Sequence, residues 1–413
     1  MLILEAQKGL TVLNTTHTPT GRSLQFLKWY QFFQFGALSI VFVYFPLYFS
    51  EMGLNKLEVG MIMAGGPLVS IIANPVWGFF SDRSQNIRRT IVILLLGNFI
   101  IAQLIFNLNT FTLLFTCMLF FFFFFSPLTA QSNSLILNSI EGTRHKFGAF
   151  RLWGSLGYAL IALTAGAWIH LTGTGRLWLI YSLLLLFSLL FTIGIPRGRL
   201  TNLATGSPAA GGKYGSLYKD KVFMLFIGLG ILISVPNSMN NTFVSIYIQE
   251  LGGTGMSVGL SAFLSSFFEI PVFLLMDRII RPNTRFMLIG LAFVSLLFSV
   301  RWLLMAGAAE PVHILLIQIM HCITFGAYYY LGTTLTARMV DSRYRASGQA
   351  LFALTWAGVS GVAAGFAGGW IYETLGAATM YMISASVALC GALGFVILVG
   401  INKTRQEQRT EEA

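Results

Sequence analysis

The sequence predicts an all-α membrane protein in which twelve transmembrane helices form two pseudo-symmetric six-helix bundles. Three observations carry this. The 413 residues are 55% hydrophobic and only 10% charged, against about 25% charged in a soluble domain. Mean hydropathy is +0.74. Apolar windows of roughly 20 residues, the length that crosses a bilayer, recur along the chain, and its two halves echo each other across a polar stretch.

Bounded by charges or turn residues, the windows fall at 25–49, 57–80, 90–108, 110–138, 148–171, 176–195, 222–248, 256–276, 286–307, 311–337, 346–372 and 378–401. Only helices and closed barrels satisfy every backbone group in lipid, and these runs lack the alternation of barrel strands. Each window therefore reads as a helix. Residues 1–23 hold no apolar stretch ending in small residues, so no secretory signal peptide is expected.

Of the 26 Lys and Arg, 22 fall in the N-terminal segment with the first turn of span 1 (Lys28), the even-to-odd loops, the central loop and the C-terminal tail, while Lys56 and Arg176 lie on the other face. By the positive-inside rule both termini are cytoplasmic, in the cytoplasmic (inner or plasma) membrane. The net charge of +11 is the expected loop asymmetry along a lipid surface and implies no nucleic-acid partner. Cys117, Cys322 and Cys390 all sit within spans, so neither a disulfide nor a metal site is expected. No cofactor is implied, and a monomer is expected.

After the sixth span, Pro196 to Lys221 is rich in Gly, Pro, Ser and Lys. This divides the chain into a cytoplasmic segment 1–23, a bundle 24–195, a linker 196–221, a second bundle 222–401 and a tail 402–413. GFFSDRSQNIRR after span 2 is answered by LLMDRIIRPNTR after span 8, and AGAWIHLTG by AGGWIYETLG. Paired halves of this kind place a site at their interface near the bilayer midplane, opened alternately to each side.

With twelve spans and GFFSDRSQNIRR after the second, the chain resembles the major facilitator superfamily over residues 25 to 401. FGAFRLWGSLGYA, SSFFEIPVFLL, SVRWLL, QIMHCITF and RASGQALF are similar to the branch of lactose permease and its relatives for 3-phenylpropionate and nucleosides. The resemblance implies a transporter rather than an enzyme.

Ionisable residues within the membrane are functional candidates by default, because each costs about 2.5 to 3.5 kcal/mol on insertion scales. Fourteen of the 15 acids lie in loops, tails or at helix ends, leaving Glu269 alone inside; away from the helix ends the bases singled out are Arg301 and His321, with Arg151 nearer the start of span 5. Counting 1.5 Å per residue from the helix ends lets Glu269, Arg301 and His321 meet in one cavity. A purely structural Glu269–Arg301 pair is the plainer alternative, as is a helix-end role for Arg151.

In the resembled branch the positions matching Glu269, Arg301 and His321 serve solute binding and proton coupling. Those matching Arg151, Asn133 and Tyr158 serve the solute, Tyr158 as a stacking aromatic. This chain departs from the pattern in three places. The carboxylate one turn after the histidine is Thr324, acids of span 7 correspond to Asn237 and Asn240, and the partner acid of span 4 corresponds to Asn133. Glu269 is then the sole embedded carboxylate available for a proton, with His321 the other titratable candidate. Asn237 and Asn240 are retained as solute ligands.

The resemblance implies a cytoplasmic gate at Asp82, Arg83, Arg88 and Arg89 and at Asp277 and Arg278; plain positive-inside anchors are the alternative. Gly361, Gly365 and Gly369 read as a close helix contact. Phe120 to Phe125 cover every helix face and read as lipid packing, while Pro127, Pro236 and Pro271 are expected to kink or break their spans. GMSVG matches a hydrolase elbow pattern but opens a membrane helix. No nucleotide-binding loop or metalloenzyme motif is present. Two arginines against one glutamate favour an anionic or strongly hydrogen-bonding solute. The expected function is a secondary active transporter of a small polar organic solute (a sugar, nucleoside or organic carboxylate), coupled to H+. An uncoupled facilitator or proton-driven exporter is the alternative.

Overall fold

The computed structural model describes residues 21–140, 143–195, 220–269, 271–272, 275–276, 283–340 and 344–411. Every described regular element is helical. The first six helices are α1 (Gly21–Glu51), α2 (Lys56–Ser84), α3 (Ile87–Ile105), α4 (Phe111–Ile140), α5 (Phe147–Thr172) and α6 (Leu177–Ile193). The second half holds α7 (Lys221–Glu250), α8 (opening at Gly255–Phe267), α9 (Thr284–Ala306) and α10 (Pro311–Met339). The last apolar run starts at Arg345 and turns over at Gly376, where φ is +81° and only glycine is at ease. That break separates α11 (345–375) from α12 (377–411), so each of the twelve expected spans has a helix among the described residues, α8 only over Gly255–Phe267 of its expected 256–276.

The ends of the helices follow from local chemistry. Asn55 and Glu58 form a reciprocal capping box at the start of α2, and Asn86 caps α3 through the Arg89 N–H. The prolines act unequally. α4 is interrupted at Ser126, just before Pro127. The α8 opening stops at Phe267, the residue whose carbonyl the Pro271 ring would strike. Contrary to expectation, α7 runs unbroken through Pro236. Turns of π-helix interrupt α1 at Ile40–Tyr44, α10 at Cys322–Gly326 and α11 at Leu354–Val359 and Ala364–Gly368. Such turns recur at functional sites.

Within the first half, hydrogen bonds tie buried polar groups from one helix to the next. Tyr181 donates to Asn98 at 2.5 Å and Tyr44 to the Ala162 carbonyl at 2.6 Å. Between the halves, α2 meets α11 and α5 meets α8. There the backbones touch: a Cβ on Gly60 would lie 2.1 Å from the Gly365 oxygen, and one on Gly259 would lie 2.6 Å from the Ala162 oxygen. Small residues permit this approach in lipid, where packing rather than hydrophobicity drives association. Gly361 and Gly369 extend the α11 contact onto Pro67 and Lys56.

These crossings lie toward the end opposite the termini. Polar contacts reinforce that end: Lys56 Nζ pairs with Glu250 at 3.1 Å, the Lys56 N–H donates to Glu373 at 2.7 Å and Gln249 donates to Glu51 at 2.5 Å. Thr174 also donates to Glu51. The division of the chain at 196–221 concerns residues that, up to 219, lie outside those described.

Candidate functional site

A cavity of about 600 Å³ opens between the halves, within the range of small-molecule sites. The N-terminal half contributes Phe35, Arg151, Ser155 and Tyr158; the C-terminal half contributes Asn237, Asn240, Glu269, Gln318, His321 and Trp356. Helix periodicity explains the α5 contribution. Arg151, Ser155 and Tyr158 are spaced four and three apart and share one face.

Arg151 lies over the Phe35 ring, 4.2 Å from its centroid, and its Nη1 is sealed from solvent without a hydrogen-bond partner. The opposite charge acting on it is Glu269, from the other half. They are not an ion pair: Lys56–Glu250 is the one such pair among the described residues. Glu269 accepts no hydrogen bond from a described residue, so its carboxylate is available to the cavity.

Arg301 corrects an expectation. It is fully buried, is absent from the cavity lining and makes no ion pair with Glu269 among the described residues. It stands one layer behind, with its guanidinium carbon over the Trp302 ring, 4.5 Å from the centroid. Its Nη hydrogens go to neutral partners, His321 Nδ1 at 3.0 Å, Gln318 Oε1 at 2.6 Å and Thr324 Oγ1 at 3.3 Å, while Nε is buried without one. His321 itself reaches the cavity, with its ring stacked on Phe325 at 5.1 Å.

The asparagines separate. Asn237 and Asn240 line the cavity, and Asn240 accepts from Tyr381 at 3.2 Å. Asn133 does not line it, and its Oδ1 is buried without a partner. Phe122 and Phe125 of the phenylalanine run line the cavity, so that run does not serve lipid alone. Phe120, 58% exposed, faces outward.

At the terminal end, Asp82 and Arg83 close the last turn of α2. Arg88 donates to the Ile193 and Ile195 carbonyls at 3.2 and 2.8 Å, tying α3 to the end of α6 within its own half. Arg89 is exposed at the start of α3. Asp277 and Arg278 lie outside the described residues. Sequence reasoning missed Gln318 and Trp356. Gln318 lies three residues before His321, on the same helix face, and that spacing was the available signal.

Two bundles around a central cavity with few, well-separated charges define a solute transporter of the membrane. The chain belongs to the MFS_1 like family, whose model matches residues 24–383. It is similar to the maltose permease of Geobacillus stearothermophilus, 26% identical over 388 residues covering 92% of this chain and 94% of the permease. A putative nucleoside transporter of Escherichia coli, YegT, is 23% identical over 62% of each chain. The crystal structure of the nucleoside transporter NupG superposes with a TM-score of 0.76 at 17% identity, covering 92% of this chain and 99% of that one. The protein is a multi-pass membrane transporter of a small-molecule solute.

Proposed function

We propose that this transporter is a proton-coupled symporter that imports a small polar organic solute by alternating access. The observation carrying the reading is that Arg151 and Glu269, one from each half, line a single cavity without contacting each other. A solute bridging them would be held by both halves and would report occupancy to both. Among the described residues Glu269 is the one embedded carboxylate on the cavity, so the proton is assigned to it. Such intramembrane carboxylates are the usual elements of proton relays.

The contact with Arg301 argues against His321 as a second carrier. A guanidinium only donates hydrogen bonds, so Nδ1 of His321 must accept and is not free to pick up a proton while Arg301 stays in place. The relatives are a maltose permease and a putative nucleoside transporter by name; a sugar or nucleoside, neutral or carrying an acidic group, fits the cavity's mix of aromatic and polar walls. The contacts at Lys56 and Glu51 correspond, with cytoplasmic termini, to a form closed on the outside. Asp82, Arg83, Arg88 and Arg89 would then form gate contacts when the cytoplasmic ends approach. Asp277 and Arg278 are proposed to answer them. We place the protein, as a monomer, in the cytoplasmic membrane.

A thermal-shift panel of maltose, uridine and glucuronate on purified protein identifies a working solute, since a ligand that binds the folded state raises apparent stability. Proteoliposomes then separate coupling from binding. Glu269→Gln is expected to abolish accumulation driven by an inward proton gradient while retaining solute exchange at equal concentrations. Undiminished accumulation by the variant would remove Glu269 from the proton path. Uncoupled facilitation is the second reading, favoured by the absence of a carboxylate around Arg301 among the described residues; uptake by the wild type that ignores collapse of the gradient selects it.

A further inference from the structure

Arg301 presents an unusual economy of partners. It is a fully buried cation whose three hydrogen-bonded neighbours, His321, Gln318 and Thr324, are all neutral. A buried charge of this kind is costly unless something exploits it. Two of those partners, His321 and Gln318, also line the cavity.

The chemistry of the contacts fixes both side chains. Because a guanidinium has no acceptor, the imidazole nitrogen facing it carries a lone pair and the ring proton must sit on Nε2. By the same rule the Gln318 atom facing Arg301 is its oxygen, which leaves the amide NH₂ as the free end. Neither Nε2 of His321 nor the Gln318 amide nitrogen has a hydrogen-bond partner among the described residues, and neither is sealed from the cavity. Two side chains that ordinarily both give and accept hydrogen bonds are thereby turned into donors.

We propose that Arg301 is a positioning residue which presents His321 Nε2–H and the Gln318 amide as a donor pair, so that this wall of the cavity takes an oxyanion group of the solute, such as a carboxylate. The proposal rests on the cavity being the solute site, as argued above. Arg151 supplies a further donor on the opposite half, with an Nη1 that no protein group satisfies. Glu269 is the lone anionic acceptor among the described cavity residues, and the remaining balance of fixed charge is positive. The donor pair discriminates because a site built to hydrogen-bond one group is left unpaired by an analogue lacking it.

Heteronuclear NMR of ring-labelled histidine in lipid nanodiscs reads the proposal without a transport assay. The His321 signal is assigned by its loss in His321→Gln. The wild type is expected to show His321 as the Nε2–H tautomer alone, and Arg301→Met to show a mixture of tautomers. Glucuronate should displace the His321 Nε2 signal with an apparent affinity roughly tenfold above that of glucose. Arg301→Met should erase that preference, whereas a residue with a merely structural role would lower stability and leave the preference intact. If Arg301→Met does not fold, Gln318→Glu serves instead. It keeps an oxygen toward Arg301 and removes the amide donor, so the tautomer should persist and the glucuronate preference should fall. A mixed tautomer in the wild type overturns the proposal, as does glucose matching glucuronate or neither probe moving the signal. Failure of proton-driven uptake in proteoliposomes would instead strike the symport reading and leave the tautomer result standing.

Discussion

At the scale of single residues, Arg151 is the most exacting test of the cavity. Its guanidinium carbon lies over the Phe35 ring, 4.2 Å from the centroid, and Nη1 is left unsatisfied in the protein. A lysine keeps the charge but has neither the planar face for the ring nor the fork for a bidentate contact. Arg151→Lys is therefore expected to insert normally and to bind the solute at least roughly tenfold more weakly, a loss of about 1.4 kcal/mol. Equilibrium binding to detergent-purified protein measures this, and wild-type affinity in the variant would reduce Arg151 to an anchor. The position was legible from FGAFRLWG and from the rarity of charge inside a span. The partners of Arg301 were not. Counting rise per residue placed Arg301, His321 and Glu269 at compatible depths, but depth does not fix azimuth. The structure turns Arg301 behind His321 instead of into the cavity.

At the scale of helices, apolar length and charge placement sufficed for nearly every span, because a bilayer demands about 20 residues whatever they pack against. The proline readings show where such reasoning stops. The first stretch of α8 stops four residues before Pro271, whereas α7 runs through Pro236, since neighbouring groups in a bundle can absorb a lost hydrogen bond. The glycines of α11 were readable as a contact surface, yet their partner was not. It is α2, with Gly60 against Gly365 and Gly369 against Lys56. A Cβ at Gly60 would lie 2.1 Å from a backbone oxygen, which no side-chain adjustment relieves. Gly60→Val is accordingly expected to wedge α2 from α11 at the end opposite the termini. An impermeant thiol reagent should then label a cysteine placed at Gln249 faster than in the Gly60 parent, with Cys117, Cys322 and Cys390 replaced beforehand. Equal labelling rates would show that the two helices separate elsewhere.

At the scale of the whole molecule, the halves are held at one end by a network in which a single lysine is used twice. Lys56 is the first residue of α2. Its ammonium pairs with Glu250, and its backbone N–H, one of the donors a helix start leaves unsatisfied, is taken by Glu373 of the other half. Tyr372 donates to Glu250 at 2.7 Å and orients it. The Lys56 and Glu250 side chains are 23% and 43% exposed, so their ion pair is worth at most about 1 kcal/mol. Glu373 does more for its size, acting as an anionic cap at a helix N-terminus, a placement that contributes roughly 0.3 to 1 kcal/mol. Shifts of that order move a two-state equilibrium severalfold. Glu373→Ala is expected to populate a form open at this end, and rigid rocking of two bundles requires the opposite end to narrow in the same molecules. Spin-label distances across both ends of the Glu373→Ala protein measure the two changes together. Widening at the Lys56 end without narrowing near Asp82 would mean that the halves deform locally rather than rock, and alternating access by rigid bundles would have to be given up for this transporter.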